Sequence, residues 1–244
     1  MPTALVTGAG AGIGREFARQ LAARGHQVIA VARSEDGLRS LTDELGPDHS
    51  HIAADLTTPD GLRKVTGALD GHRRVQLLVN NAGTTVPGPF ATVPLHRTLA
   101  MMRLNCEALV TLAHRFLARA EPGDSLLNVS STLAFAPMPD LSVYAATKAF
   151  VTSFSESLWH EHKDRGIYVM GLCPGMTATE SQPHSDGDSR SVPVQSPERV
   201  VRTALTALHR RRRPTVISGR RNTLFAAATR SLPRRTVLKM LGGT

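Results

Sequence analysis

The chain has 244 residues, 41% of them hydrophobic and 20% charged, which is the composition of a globular protein able to bury a substantial core and excludes a disordered or fibrous one. Its formal net charge of +9 is unevenly placed: from Glu198 onward 12 Lys/Arg face one acid, while the preceding 197 residues carry a net −2. With aromatics at 4% and no recognisable nucleic-acid module, that basicity is not read as a nucleic-acid footprint, and no apolar run of about 18 residues predicts a membrane-spanning helix.

In chain order, short apolar runs alternate with helical periods. Thr3–Thr7 predicts a buried strand leading into the glycine-rich Gly8–Gly14. Arg15–Arg24 predicts a helix stopped by Gly25, Gln27–Ala32 a second strand, and Ser34 caps a helix ending near Leu45. Strands are expected at His51–Ala54, Gln76–Val79, Ser125–Val129 and Ile167–Leu172. Helices are expected at Pro59–Leu69, in one long stretch from about Leu95 to Ala120, and in a stretch carrying Tyr144 and Lys148 that runs to about Arg165. A helix beginning at Pro197 and a seventh strand at Pro214–Ile217 complete the body. Strand alternating with helix implies right-handed βαβ units and a mostly parallel sheet covered on both faces, with no composition break to split it.

Two motifs carry chemistry. Thr7-Gly8-Ala9-Gly10-Ala11-Gly12-Ile13-Gly14 follows a strand and opens a helix, the context in which glycines let backbone approach a pyrophosphate. Tyr144 and Lys148, four residues apart, stack on one helical face, where an ammonium favours the phenolate. Bringing a tyrosine from about 10 to near 7 needs about 4 kcal/mol of differential stabilisation. Alone, this spacing is a common accident.

The two together resemble the short-chain dehydrogenase/reductase family, from Thr3 to about Thr179. Further markers fall in the family's order: Asp55-Leu56, Asn80-Asn81-Ala82-Gly83, Asn105, Asn128-Val129-Ser130-Ser131 with Ser131 thirteen residues before Tyr144, and Pro174-Gly175 with Thr177 and Thr179 beyond. The resemblance implies a three-layer α/β/α doubly wound Rossmann fold with a parallel sheet of about seven strands, as one domain over residues 1–244. It implies Tyr144 as the acid/base and Ser131 as the carbonyl's hydrogen-bond partner. Lys148 would hold the nicotinamide ribose and lower the Tyr144 pKa, and Asn105 would hold a relay water. Ser130 is the rival for the serine role, which the thirteen-residue separation gives to Ser131. The cofactor contacts it implies are Gly8, Gly10, Gly12, Ile13, Gly14, Asp55, Leu56, Asn81, Ala82, Gly83, Tyr144, Lys148, Pro174, Gly175, Thr177 and Thr179.

The second strand ends Val31-Ala32-Arg33-Ser34, with no acid for a ribose diol and an arginine suited to a 2′-phosphate. NADP(H) is therefore expected over NAD(H), with Arg33 and Ser34 at the phosphate. Ala11 departs from the base that many NADP-preferring members carry before the second glycine; Arg15 is a substitute, or an outward helix arginine.

Apolar Leu133, Phe135, Met138 and Met176 favour a hydrophobic ketone or alcohol as substrate. Thr179–Val194, polar and without period, corresponds to the family's mobile lid. The tail Arg220–Thr244 interleaves apolar residues with arginines. It is read as an amphipathic contact with anionic lipid, a cover over the substrate cleft, a subunit contact, or a terminal helix packed on the body. Pairing as a homodimer or homotetramer is expected through the helices of Asn105 and Tyr144, with Phe154 and Trp159 as interface candidates.

Met1-Pro2-Thr3 runs straight into apolar sequence, and Cys106 and Cys173 make no disulfide framework, so a cytoplasmic protein without a secretory leader is expected. Both cysteines read as small apolar residues, Cys173 near enough to the cofactor to be alkylation-sensitive. The histidine pairs lack a ligand set for a metal, and no Gly-x-Ser-x-Gly elbow occurs. The implied function is an NADP(H)-dependent carbonyl reductase or alcohol dehydrogenase. The alternatives are a silent dinucleotide-binding regulator or scaffold, or a biosynthetic member diverted to epimerisation.

Overall fold

The computed structural model describes residues 1–71, 74–178 and 194–242. Its elements in order are β1 (Thr3–Thr7), α1 (Gly12–Ala22), β2 (Gln27–Ala32), α2 (Glu35–Leu45), β3 (Ser50–Ala53), α3 (Pro59–Asp70), β4 (Leu77–Asn80), α4 (Leu95–Met102), α5 (Leu109–Arg119), β5 (Ser125–Val129), α6 (Ser142–His162), β6 (Tyr168–Cys173), α7 (Pro197–Arg210), β7 (Thr215–Ile217), α8 (Arg220–Ser231) and α9 (Arg234–Gly242). The strands form one sheet in the order β3-β2-β1-β4-β5-β6-β7, and every pairing is parallel. The order reverses between β1 and β4, the switch point of a doubly wound sheet.

Alternate strand residues feed two cores. Ala4, Val6, Val28, Ala30, Met170 and Leu172 pack with Phe17, Leu21, Leu38, Leu41, Val200 and Val201 beneath α1, α2 and α7. Leu5, Ile29, Val31, Leu78, Leu126 and Val169 pack with Val65, Leu69, Leu112, Phe116 and Leu158 beneath α3, α5 and α6. This is the three-layer α/β/α architecture. Because both faces are covered, the strands carry no polar stripe, and their continuous apolar runs follow from that.

The long helix expected from Leu95 to Ala120 is interrupted. Arg103–Ala108 forms a π-helical turn between α4 and α5, with Asn105 buried at its centre. Such a turn widens the helix by one residue and re-aims the side chain it carries. Trp159 packs half-buried against both cores, so core packing accounts for it. Phe154 packs partly buried on the second core and stacks on the exposed Phe150 at 5.7 Å.

The tail packs on the body of its own chain. α8 lies on the segment after β5, burying Ala226 against Phe135 and Cys173, and Gly242 of α9 sits beside Pro139. It thus covers the 132–140 segment of its own chain. The segment expected as a lid, Thr179–Val194, lies outside the described residues except for Val194. Its flanks meet in a parallel bridge between Thr177 and Gln195. Among the described residues, no helix is long and apolar enough to cross a membrane.

Candidate active site

Most of the polar residues that the sequence singled out lie at the carboxyl edge of the sheet. The turn after β1 is the tightest part. Gly8 and Gly12 adopt positive φ (67° and 53°), which an L side chain rarely tolerates. A Cβ on Gly14 would lie 2.1 Å from the Gly8 carbonyl oxygen, so only glycine allows α1 to start there. α2 and α3 begin with side-chain caps, Ser34 accepting from Gly37 N and Thr58 from Gly61 N, but α1 has Ala11 at its N-cap position, with no side-chain cap, and has no acid in its first turn. An uncapped, acid-free helix start presents backbone N–H groups and positive dipole to an anion. The residues present therefore fit a dinucleotide pyrophosphate.

Thr7 locks the next loop to this turn. Its hydroxyl accepts from Asn81 N and Ala82 N (both 3.0 Å) and donates to Val79 O (3.3 Å). Asn81 Nδ2 returns to Thr7 O at 2.9 Å. Asn105 then ties the same loop to α6: Oδ1 accepts from Thr84 N, while Nδ2 donates to Thr84 O and Thr147 Oγ1, all within 3.1 Å. Gly83 is thereby held where a Cβ would come within 3.4 Å of Lys148 Nζ.

Lys148 is buried, and its Nζ donates to Val129 O at 2.9 Å and sits 5.7 Å from the centre of the Tyr144 ring. Burial lowers its pKa to about 8. Burial also pushes the Tyr144 phenol above its ordinary value, against a smaller downward pull from a hydrogen bond with Ser131. The expected lowering of Tyr144 by Lys148 is not seen: burial outweighs the Ser131 contribution, and Lys148 Nζ donates to the Val129 carbonyl. Ser131 and Ser130 separate cleanly. Ser130 is turned inward, donating to Lys148 O and bonding Thr152 Oγ1, both at 2.7 Å. Ser131, 9% exposed, points its Oγ to the site and accepts from Leu133 N.

Residues 2–189 match the family model for short chain dehydrogenase. The chain belongs to the short-chain dehydrogenase/reductase family. Serine 3-dehydrogenase of Rhizobium radiobacter is 35% identical over 181 residues, 73% of each chain. Among solved structures, a short-chain dehydrogenase from Sphingobium yanoikuyae in complex with NADPH is 33% identical at a TM-score of 0.82, covering 93% of this chain and 94% of its own. The bulky-bulky ketone specific alcohol dehydrogenase of Comamonas testosteroni is 31% identical at a TM-score of 0.79, covering 93% and 92%. Family membership makes the protein an oxidoreductase.

Within that family framework, the remaining expected residues fall into groups. Arg33 stands exposed at the end of β2, and the next acid, Glu35, is engaged by His51 and Arg39. Ser34 Oγ is occupied as the α2 cap. Arg15 does not stand in for a phosphate contact, because Gly37 O, Ser40 and Glu44 of α2 hold its guanidinium. Asp55 is half-buried; burial raises its carboxyl, but bonds from Thr57 and the nearby Arg33 outweigh that and leave it below its ordinary value. Leu56 and Ile13 direct their side chains into the two cores. Gly10 packs against Ala32, Pro174 O accepts from Thr132 N, and Thr177 Oγ1 bonds Gly175 O. A Cβ on Gly175 would meet the Asn222 amide of α8. Thr179 lies outside the described residues.

Two expectations are corrected. Phe135 is not a free wall of a substrate site: it is buried with Cys173 and Ala226, its ring covered by Arg230 at 4.4 Å. Cys173 is fully buried with its thiol pushed up to about 11, and it is therefore a poor target for alkylation. The Asn105 side chain itself is committed to Thr84 and Thr147. Leu133 and Met138 are half-buried and Met176 is exposed. Thr84, Thr147 and Thr152 were missed, because a threonine's partner on another element leaves no local signature.

Proposed function

We propose that the chain is an NADP(H)-dependent oxidoreductase that interconverts a hydrophobic ketone and its secondary alcohol. The observation that carries this is the placement of Tyr144 between the Ser131 hydroxyl and the buried Lys148 ammonium, beside an uncapped glycine-rich helix start. The nicotinamide, when bound, supplies or takes the hydride. Gly8–Gly14 and the α1 N-terminus would hold the pyrophosphate, and Arg33 the 2′-phosphate. Asn81, Ala82 and Gly83 with Pro174–Thr177 would line the nicotinamide half.

Tyr144 is the acid/base. With its pKa raised it keeps its proton at neutral pH, the form that donates to a carbonyl oxygen during reduction. Ser131 steadies the charge developing on that oxygen. Lys148 holds the ribose hydroxyls and places positive charge under the phenol. Leu133, Met138 and Met176 supply the apolar surface. The bound NADPH of the Sphingobium relative and the bulky ketone of the Comamonas one support the cofactor and the substrate class.

We infer pairing with a second copy through α4 and α6; the exposed apolar side chains Leu95, Leu99, Met102 and Phe150 support it, and sedimentation at several concentrations tests it. Two free thiols suit a cytoplasmic setting. The decisive experiment is NADPH oxidation against a panel of aliphatic and aromatic ketones with wild type and Tyr144→Phe. Turnover that disappears in the variant supports the proposal; NADPH binding without turnover of any ketone, or turnover indifferent to Tyr144, overturns it.

A further inference from the structure

Ser131 does not end a strand so much as begin a turn. Its backbone is extended (φ −161°, ψ 159°), and its Oγ caps the short 3-10 turn Thr132–Phe135 by accepting from Leu133 N. The start of that turn is anchored to the sheet, since Thr132 N donates to Pro174 O at 2.9 Å. Its far end is held by residues of the tail. Phe135 is 5% exposed and packs on Cys173, Ala226 and Ile217. The Arg230 guanidinium of α8 lies over its ring, and Arg234 of α9 donates to its carbonyl at 3.3 Å.

Arg230 reaches a second element as well. Its Nη2 lies 4.0 Å from Glu156 of α6, whose carboxylate also accepts from the Thr215 hydroxyl at 2.6 Å. One guanidinium therefore spans the turn that carries Ser131 and the helix that carries Tyr144 and Lys148. Resting on the reading of this site as the catalytic one, we propose that Arg230 is a positioning residue: it holds the 132–135 turn against α6 and so sets Ser131 Oγ relative to the Tyr144 phenol.

A planar guanidinium suits this task. It covers an aromatic face and keeps a donor for a carboxylate. The Arg230 side chain is 56% exposed, so its removal should leave global stability nearly unchanged. A hydrogen bond aimed at a reacting oxygen is far less forgiving, because its strength falls steeply with angle and distance. The residue also lies past position 189, where the family match stops, so this clamp belongs to the part of the chain that the match does not describe.

The test is a cycle of Arg230→Gln and Ser131→Ala in the full-length protein, assayed with NADPH and whichever ketone turns over. Arg230→Gln should lower kcat on the order of tenfold, with KM for NADPH within about twofold and Tm unchanged, as expected for a displaced transition-state contact. Arg230→Lys, which keeps a cation over the ring, should recover most of the loss. In the Ser131→Ala background Arg230→Gln should cost nothing further, because the group it positions is gone. An equal loss in both backgrounds, or a wild-type kcat for Arg230→Gln beside a slow Ser131→Ala, overturns the clamp alone. A wild-type kcat for Ser131→Ala overturns the site assignment, and the clamp with it.

Discussion

The carboxyl edge of the sheet and the C-terminal helices are held together in opposite ways. At the edge, polar side chains are buried and bind one another across elements: Asn80 to Asn128, Asn128 to Ser155, Ser130 to Thr152 and to the Lys148 carbonyl, Asn105 to Thr84 and Thr147. In α8 and α9 the buried residues are Ala226, Thr229 and Val237, while Leu224 and Met240 are 70% and 69% exposed. Those helices attach through Arg230, Arg234 and the Asn222–Gln195 pair. A buried network that is satisfied except at Asn80 Oδ1 has few arrangements and is costly to disturb. A helix pair with a small core and tethers at the surface can shift at low cost. The proposed hydride transfer to a carbonyl needs the first property and would be served at this edge.

The largest effect that would break this contrast is at Tyr144. Tyr144→Phe removes the phenol proton, and general acid–base catalysis of this kind is worth about 10²–10⁴-fold in kcat. NADPH affinity should hardly move, since the ring remains. Loss of rate below tenfold, measured at saturating NADPH, would mean that the rigid edge does not do the chemistry.

Lys148 comes next, through stability rather than rate. The fall from its ordinary 10.5 to about 8 on folding corresponds to about 3 kcal/mol. Below pH 8 both folded and unfolded chains hold the proton, so the full cost is present. Between pH 8 and 10.5 the folded chain has released it while the unfolded chain has not, so stability rises with pH; above 10.5 the cost is gone. Lys148→Met removes that cost but orphans the Val129 carbonyl, which takes back about 1 kcal/mol. The cofactor-free variant should be more stable than wild type by about 2 kcal/mol at pH 7 and lose that advantage by pH 10, while turning over no substrate. Urea unfolding at the two pH values checks this, and a pH-independent difference would refute it.

A smaller effect belongs to Arg33, at the outer end of the same edge. Arg33→Ala should weaken NADPH on the order of tenfold and leave NADH unchanged, the loss of one charge-assisted contact to a phosphate. Parallel weakening of both in fluorescence titrations would assign Arg33 to the adenosine rather than to the 2′-phosphate.

How far the sequence carried each region follows the same divide. The strands, the glycine turn and the Tyr144–Lys148 pair were legible because each is local: an apolar run, a set of forced glycines, a spacing of one helical turn. The interruption at Arg103–Ala108 was not, because a π turn adds one residue without any break in hydrophobic period. Nor was the burial of Phe135, whose covering residues lie about a hundred positions later in a segment that carried several readings at once. Ser130 and Ser131 show the limit most closely. Adjacent and alike in sequence, they diverge because successive side chains at a strand end point to opposite sides, one into the Lys148 backbone and one to the cleft.

The smallest effect is expected on the outer face of α8. Leu224 is 70% exposed, with Arg220 and Arg221 exposed one turn before it. Serine in its place removes no buried contact, so stability should stay within about 0.5 kcal/mol and Tm within about 2 °C. The matched control lies in the first core, where Phe17, 0% exposed, should cost about 3–5 kcal/mol on truncation to alanine. If the outer face only shelters the cleft, Leu224→Ser leaves kcat and the NADPH affinity at wild-type values. A loss of more than about 1 kcal/mol would instead mean that something covers this face in solution, because a leucine in water has no such contribution to lose. Tm measured across a hundredfold range of protein concentration then separates a second copy, whose contribution grows with concentration, from a rearranged tail, whose contribution does not.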